Sequence, residues 1–249
     1  MTLSPPALDT SAWIRRFHPA PDATARLVCF PHAGGSASYF FPVSRTLSPR
    51  FEVLGVQYPG RQDRRHEPCV GDLVELAELI VPQLEPWLDR PVAFFGHSLG
   101  ASLAFEVARR LPDADLTHLF VSGRSAPTCP RDEGMHLVDD HRLVADLARM
   151  SGTDAAVLGD EEILRTVLPA LRSDYRAAET YRYRPGPPLN CPITALIGDQ
   201  DDQVSEAEAQ PWAERTTGAF TLKVFPGGHF YLNDHSAAVL ALIRQQLIR

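Results

Sequence analysis

The sequence lacks any run of about 18 consecutive apolar residues, the length that an α-helix needs to cross a bilayer. Its first residues, MTLSPPALDTSAWIRRFHP, also lack the charged start and the apolar run of a secretory signal. We therefore expect a cytoplasmic protein with no membrane partner.

Cysteine and positive charge are also scarce. The sequence indicates buried thiols rather than a metal site or a disulfide framework, because its four cysteines, Cys29, Cys69, Cys129 and Cys191, form no C-x-x-C pair. Lys and Arg number 24 against 31 Asp and Glu, which leaves a net charge of −7. Nucleic-acid binding needs clustered Lys and Arg to neutralise phosphates, so we expect no nucleic-acid partner. Small-molecule and protein substrates remain.

The chain does have the composition of a folded protein, with 44% hydrophobic and 22% charged residues over 249 positions, and we expect one domain with an inserted subdomain. Short apolar runs alternate with segments of helical periodicity. The expected strands lie at 26–32, 51–57, 91–96, 116–123, 191–198 and 220–228, and the expected helices at 72–88, 99–111, 205–216 and 236–248. This alternation predicts an α/β fold with a mainly parallel sheet and helices on both faces.

One region interrupts the alternation. Apolar residues recur at three- and four-residue steps over 143–147 and 163–171, and the surrounding sequence contains no strand-like run. We expect a helical lid at 129–183, inserted in a core made of 1–128 and 184–249. Pro169 is expected to kink the second helix of this lid or to divide it in two.

The pentapeptide GHSLG (96–100) follows an expected strand and precedes an expected helix. The pattern G-x-S-x-G in that context is typical of the nucleophile elbow of the α/β-hydrolase fold, in which a sharp turn lifts a serine hydroxyl above the sheet. Ser98 is therefore the candidate nucleophile, and a serine in an ordinary tight turn is the alternative.

An activated serine needs a base within hydrogen-bond reach and an acid that orients the base. In this fold the acid and then the histidine follow the serine along the chain. His229, in the turn after the last expected strand, is favoured over His235, which opens the final helix. Asp201, in the spacing G-x-x-D-x-x-V after another strand, is favoured as the acid, with Asp199 and Asp202 as alternatives.

Acyl transfer also needs N–H groups that stabilise the developing oxyanion. The Leu99 N–H directly follows the candidate nucleophile and is the first choice. The second is the Ala33 N–H, in the glycine-rich loop FPHAGGSASYF (30–40) after an early strand, although a glycine pair by itself also suits a plain turn. His32 in the same loop is expected to pack rather than to react.

Seven stretches of the sequence resemble those of the stand-alone type II thioesterases of polyketide synthase and nonribosomal peptide synthetase systems. They are FPHAGGSA (30–37), QYPGRQDR (57–64), FFGHSLGA (94–101), SGRSAP (122–127), LRSDYRAAETYRYRP (171–185), GDQD (198–201) and GGHFYL (227–232). This resemblance implies the α/β-hydrolase fold, with Ser98, Asp201 and His229 as the triad and Ala33 and Leu99 as oxyanion-hole donors.

The resemblance further implies an editing activity, in which aberrant or stalled acyl groups are hydrolysed from the phosphopantetheine arm of acyl or peptidyl carrier proteins. No cofactor is expected on the enzyme, because the carrier protein bears the phosphopantetheine, and we expect a monomer. An acyl-CoA thioesterase, a carboxylesterase and a non-catalytic chaperone that binds carrier proteins are the alternatives. Candidate residues for docking the carrier protein, unless they only form a solvated charged face, are Arg61, Arg64, Arg65, Arg124, Arg182 and Arg184.

Overall fold

A seven-stranded sheet forms the centre of the computed structural model, which describes residues 12–149 and 161–247. The strands are β1 (Ile14–Arg15), β2 (Ala25–Phe30), β3 (Phe51–Val56), β4 (Val92–His97), β5 (Leu116–Ser122), β6 (Ile193–Gly198) and β7 (Phe220–Phe225). Their order in the sheet is β1-β3-β2-β4-β5-β6-β7. Strands β2 to β7 run parallel, and the short β1 pairs with β3 in the antiparallel direction.

The α-helices follow the strands and cover the sheet. They are α1 (Phe41–Leu47), α2 (Leu73–Leu84), α3 (Leu99–Arg109), α4 (Asp140–Arg149), α5 (Glu161–Thr180), α6 (Glu206–Ala209), α7 (Tyr231–Asp234) and α8 (Ser236–Leu247). Short 3-10 helices occupy Ala37–Phe40, Gln62–Arg64, Glu85–Trp87, Met135–Leu137 and Gln210–Arg215. No helix among the described residues is long and apolar enough to cross a membrane.

Helices cover both faces of the sheet. Successive side chains of a strand point to opposite faces, so each central strand contributes residues to the core on both sides. Val28 and Phe30 of β2 pack with α2 and α3, whereas Leu27 and Cys29 pack with α1 and α8. Burial on two sides explains why the strands are nearly continuous runs of aliphatic and aromatic residues. The predicted α/β fold with a mainly parallel sheet is confirmed. All four cysteines are free thiols.

Two details of the sheet and its helices differ from the expectation. Strand β1 spans two residues, which is too short to show any periodicity in the sequence. The helix expected at 205–216 is a single α-helical turn, α6, followed by the 3-10 helix Gln210–Arg215. Pro211 in that segment has no N–H to donate, so a continuous α-helix would lose a hydrogen bond there.

The segment between β5 and β6 contains α4 and α5, as expected for the helical insertion. Of the two effects expected of Pro169, a kink or a division, division of the second helix was wrong, because α5 continues from Glu161 to Thr180. Ala170 and Leu171 are buried directly after the proline, and this packing stabilises the helix on its far side. Residues 150–160, and the side chains of the expected apolar positions 147 and 163, lie outside the described residues.

Candidate active site

Ser98 lies in a sharp turn between β4 and α3, at the carboxyl edge of the sheet. Its backbone has a φ of 55° and a ψ of −120°, which is rare for a residue other than glycine. A Cβ on Gly96 would lie 2.1 Å from the Gly100 carbonyl oxygen, and a Cβ on Gly100 would lie 2.1 Å from the Phe30 carbonyl oxygen. The two glycines are therefore required by close backbone contacts, and the turn has the strained geometry of a nucleophile elbow.

His229 and Asp201 meet at the same edge, since they follow the adjacent parallel strands β7 and β6. The His229 Nδ1 atom lies 2.9 Å from Asp201 Oδ2 and 3.1 Å from Asp201 Oδ1. The Gln203 N–H donates to Asp201 Oδ1 at 2.8 Å and fixes the carboxylate. The Asp201 side chain is 0% exposed and that of His229 is 5% exposed. An imidazole that donates its Nδ1–H to a buried carboxylate keeps Nε2 available as a proton acceptor.

The alternative residues have other partners. The Asp199 carboxylate accepts a hydrogen bond of 2.9 Å from the Gly227 N–H. The Asp202 side chain is 51% exposed and forms an ion pair with Arg149. The His235 Nε2–H donates to the Pro226 carbonyl oxygen at 3.0 Å. The geometry therefore favours Asp201 and His229 over these alternatives.

Ser98 and His229 line one pocket, with a volume of about 70 Å³, and the two oxyanion-hole candidates Ala33 and Leu99 line it with them. Leu99 is the first residue of α3. The N–H groups of the first helical turn have no acceptor within their own helix and carry the positive end of the helix dipole, so this N–H is suited to an anionic oxygen. The pocket thus brings together Ser98, His229 and the two oxyanion-hole candidates, and Asp201 contacts it through His229.

Helix α5 lines this pocket with Glu179 and with three further side chains, none of which sequence reasoning assigned to the site. Leu171, Tyr175 and Ala178 line the cavity, and their spacing of four and three residues places them on one face of the helix. The stretch LRSDYRAAETYRYRP contains these three residues, so the helical spacing within that motif was the available signal.

Two further histidines pack beside the His229 imidazole. The His97 ring centroid lies 4.8 Å from that of His229 and 5.9 Å from that of His32. The pKa of His32 is lowered to about 3, chiefly by burial and in smaller part by the nearby His229 and Arg61. Burial also holds the pKa of His97 well below its usual value, with additional lowering by His229 and His32. Both rings are therefore neutral at physiological pH and add no positive charge beside the His229 imidazole.

These lowered pKa values make the free energy of unfolding depend on pH. The unfolded chain protonates both histidines near pH 6.5, so the stability present above that pH is lost progressively toward the folded pKa, about 3 for His32. His32→Phe keeps a ring against Tyr39 and Phe230 and should reduce the slope of stability with pH by about 1.4 kcal/mol per pH unit between pH 6 and 5. Urea unfolding at each pH measures this slope, and an unchanged slope would contradict a neutral His32.

A second cluster, Asp132, His136 and Glu179, lies at the rim of the pocket. Its potential ligand atoms are all within 4.8 Å of one another. The Glu179 carboxylate already accepts hydrogen bonds of 2.8 and 3.0 Å from the N–H groups of Met135 and His136, and it contacts the His136 ring. Asp132 pairs with Arg182. These contacts tie the segment before α4 to the end of α5, which accounts for the cluster without a metal ion.

The structure corrects three of the candidate docking residues for a carrier protein. Arg61 and Arg64 are only 7% and 5% exposed, and they pair with Asp174 and Glu67. Arg124 lines the pocket and donates to Ser102 Oγ and to the Ala178 carbonyl oxygen. A docking arginine must be exposed, so these three do not qualify. The arginines that remain exposed are Arg65, Arg182 and Arg184.

Comparison with known proteins supports the assignment of the fold and the chemistry. A family model described as a thioesterase domain matches residues 25–247. Thioesterase PikA5 of Streptomyces venezuelae is 55% identical over 238 residues, which are 94% of this chain and 85% of the relative.

Two solved structures extend this similarity. The type II thioesterase BorB from the borrelidin biosynthetic cluster is 53% identical, with a TM-score of 0.89 over 95% of this chain and 98% of that one. YbtT, a type II thioesterase from the yersiniabactin NRPS/PKS pathway, is 30% identical, with a TM-score of 0.82 over 94% of this chain and 98% of that one. The chain therefore belongs to the thioesterase family, has the α/β-hydrolase fold, and is a thioester hydrolase similar to type II thioesterases of polyketide and nonribosomal peptide pathways.

Proposed function

We propose that this thioester hydrolase is an editing enzyme that removes aberrant or stalled acyl groups from the phosphopantetheine arm of carrier proteins in polyketide or nonribosomal peptide biosynthesis. The observation that carries the proposal is that Ser98, His229 and the two oxyanion-hole candidates line one pocket, with the Asp201 carboxylate 2.9 Å from His229 Nδ1. The similarity to BorB and YbtT, which are named as type II thioesterases of biosynthetic pathways, supports the substrate class.

In the proposed mechanism, His229 takes the proton of Ser98 while Oγ attacks the thioester carbonyl carbon. The tetrahedral oxyanion accepts hydrogen bonds from the Ala33 and Leu99 N–H groups. The C–S bond then breaks, the thiol leaves with the proton from His229, and the acyl group stays on Ser98 as an ester. His229 next deprotonates a water that hydrolyses this ester, while Asp201 keeps the imidazole oriented. No metal or cofactor enters any step.

We also infer that residues 129–183 act as the lid of this site, because α5 lines the pocket above Ser98. The pocket volume of about 70 Å³ holds roughly five water-sized groups. A chamber of this size suits a short acyl group of about two to four carbons, since each non-hydrogen atom takes up about as much room as a water. Longer chains would need α5 to move.

The substrate class is tested with matched acyl donors. Acetyl, propionyl, butyryl and octanoyl groups are presented on a carrier protein, on coenzyme A and as nitrophenyl esters, and kcat/KM is measured for each. We expect carrier-bound substrates to exceed acyl-CoA by at least about tenfold, which is about 1.4 kcal/mol of additional transition-state binding. We also expect kcat/KM on the carrier to fall from the short acyl groups to octanoyl.

The alternatives give different results in the same assay. Equal kcat/KM on coenzyme A and carrier substrates would identify an acyl-CoA thioesterase and contradict the proposal. Higher kcat/KM on the oxygen esters would identify a carboxylesterase. Binding of a carrier protein without hydrolysis of any substrate would favour the chaperone.

A further inference from the structure

A buried ion pair joins two sequence motifs that contain no residue of the proposed triad. Arg61 of QYPGRQDR donates from Nη1 and Nη2 to the two carboxylate oxygens of Asp174, in LRSDYRAAETYRYRP, at 2.7 and 2.9 Å. The side chains of Arg61 and Asp174 are 7% and 1% exposed. A two-point contact of this kind fixes the orientation of both groups as well as their separation. The pair therefore joins α5 rigidly to the segment after β3.

The same carboxylate reaches the loop that carries Ala33. Asp174 Oδ2 accepts a hydrogen bond of 2.8 Å from the Gly34 N–H, the peptide directly after Ala33. Arg61 Nη1 also donates to the Gly35 carbonyl oxygen at 3.2 Å. The clamp, by which we mean Arg61 and Asp174 together, thus binds the loop through one N–H and one carbonyl group.

This loop needs external support because its backbone is glycine-rich. Gly34 has a φ of +72°, in the left-handed region that favours glycine, and a Cβ at this position would lie 2.9 Å from Leu171 Cδ1 of α5. The Gly35 N–H closes the turn by donating to the His32 carbonyl oxygen at 2.9 Å. Two consecutive glycines leave the backbone many alternative conformations, and the clamp restricts the loop to the one in which Ala33 lines the pocket.

We propose that Arg61 and Asp174 are positioning residues that hold the Ala33 N–H in the oxyanion hole. This inference rests on the proposed function, in which that N–H stabilises the tetrahedral intermediate. Asp174 belongs to the same helix as the pocket-lining Leu171 and Tyr175. The helix that covers the acyl group therefore also completes the oxyanion hole, and the hole is fully formed only when this part of α5 is in place.

The test removes the clamp and measures transition-state binding separately from substrate binding. The variants are Asp174→Ala and the double variant Arg61→Met with Asp174→Ala, and the substrates are a butyryl carrier protein and nitrophenyl butyrate. A trifluoromethyl ketone serves as probe, because its adduct with Ser98 places an oxyanion in the hole. We expect kcat to fall about 10- to 100-fold with KM unchanged within about threefold, somewhat less than the full loss of one donor. The affinity for the ketone should fall by the same factor as kcat.

A matched control separates positioning from stability. Glu52 is a fully buried carboxylate that accepts hydrogen bonds of 2.9 Å from Arg16 and Arg26, and it lies in β3 away from the pocket. Glu52→Gln should lower the melting temperature and leave kcat and the ketone affinity unchanged. If kcat of this variant falls in proportion to its stability, the clamp effect is merely structural and the inference is overturned.

Asp174→Ala alone leaves the buried Arg61 guanidinium unpaired, which can unfold the protein. The double variant removes this charge as well, so the inference can be tested even if the single variant does not fold. A folded double variant with wild-type kcat and ketone affinity would overturn the clamp while the proposed function stands. A wild-type enzyme that hydrolyses nitrophenyl butyrate but no carrier-bound acyl group would contradict the proposed substrate class. The clamp would still be tested on the ester, since its oxyanion forms in the same hole.

Discussion

Replacing Ser98 with alanine is expected to lower acyl release from a carrier protein by about 10⁴- to 10⁶-fold, because among the described residues no other serine, threonine or cysteine lines the pocket to form the proposed acyl-enzyme. The residual rate would come from the oxyanion hole and substrate binding alone. Alanine keeps the Cβ that the backbone at this position already accommodates, so the fold should be retained. Turnover of butyryl carrier protein, labelling by a fluorophosphonate and thermal unfolding measure the three quantities.

Ser102 provides the control for this substitution. It lies one turn further along α3, is 3% exposed, and its Oγ accepts a hydrogen bond of 2.9 Å from Arg124. Ser102→Ala should lower stability by about 1 kcal/mol through the lost hydrogen bond and should still react with the fluorophosphonate. Undiminished turnover in Ser98→Ala, or labelling that survives there, would show that Ser98 is not the nucleophile.

Replacing Asp201 with asparagine is expected to reduce kcat by about 10³- to 10⁴-fold with a small change in KM. In the proposed mechanism, the buried carboxylate at 2.9 Å from His229 Nδ1 keeps that nitrogen protonated and stabilises the imidazolium formed when Ser98 attacks. An amide at the same place removes the negative charge and can present an N–H to Nδ1. That contact would favour the tautomer with the proton on Nε2, which cannot accept the serine proton.

The two neighbouring acids are matched controls, since the same substitution can be made in the same loop. Asp202→Asn should leave kcat within about twofold, because an exposed ion pair contributes little. Asp199→Asn should reduce kcat by less than about tenfold, because an amide oxygen can still accept the hydrogen bond from the Gly227 N–H. Steady-state kinetics on one carrier substrate compares all three variants. A loss in Asp199→Asn that equals the loss in Asp201→Asn would contradict the assignment of Asp201.

Much of the fold and of the candidate site could be predicted from local sequence patterns. The strands β2 to β7 were predicted to within a few residues, because burial on both faces leaves apolar runs in β2 to β6 and the edge strand β7 is still rich in aromatic and branched residues. The elbow at Ser98 was evident because close backbone contacts at Gly96 and Gly100 admit no side chain. Asp201 and His229 were singled out because each lies a few residues after a strand, and parallel strands bring their carboxyl ends to one edge.

Other features depended on residues that are far apart in the chain. The hydrophilic stretch around Arg61 and Arg64 predicts that both are surface charges. The structure instead buries Arg61 against Asp174 and Arg64 beside Glu67. The sequence predicts that Pro169 kinks or divides its helix. The helix α5 nevertheless continues through Pro169, because its packing on the core outweighs the hydrogen bond that the proline removes. In both cases tertiary contacts override a local preference of the chain.

The chain's local chemistry thus determined that a serine, a histidine and an aspartate stand at strand ends of a parallel sheet, because strand patterns and turn residues are properties of neighbouring positions. The tertiary structure alone decided what surrounds them. It placed α5 over the pocket and brought the Asp174 carboxylate to within 2.8 Å of the Gly34 N–H, although 140 positions separate the two residues. Contacts at such separation follow from the packing of whole elements, and no short stretch of sequence contains them.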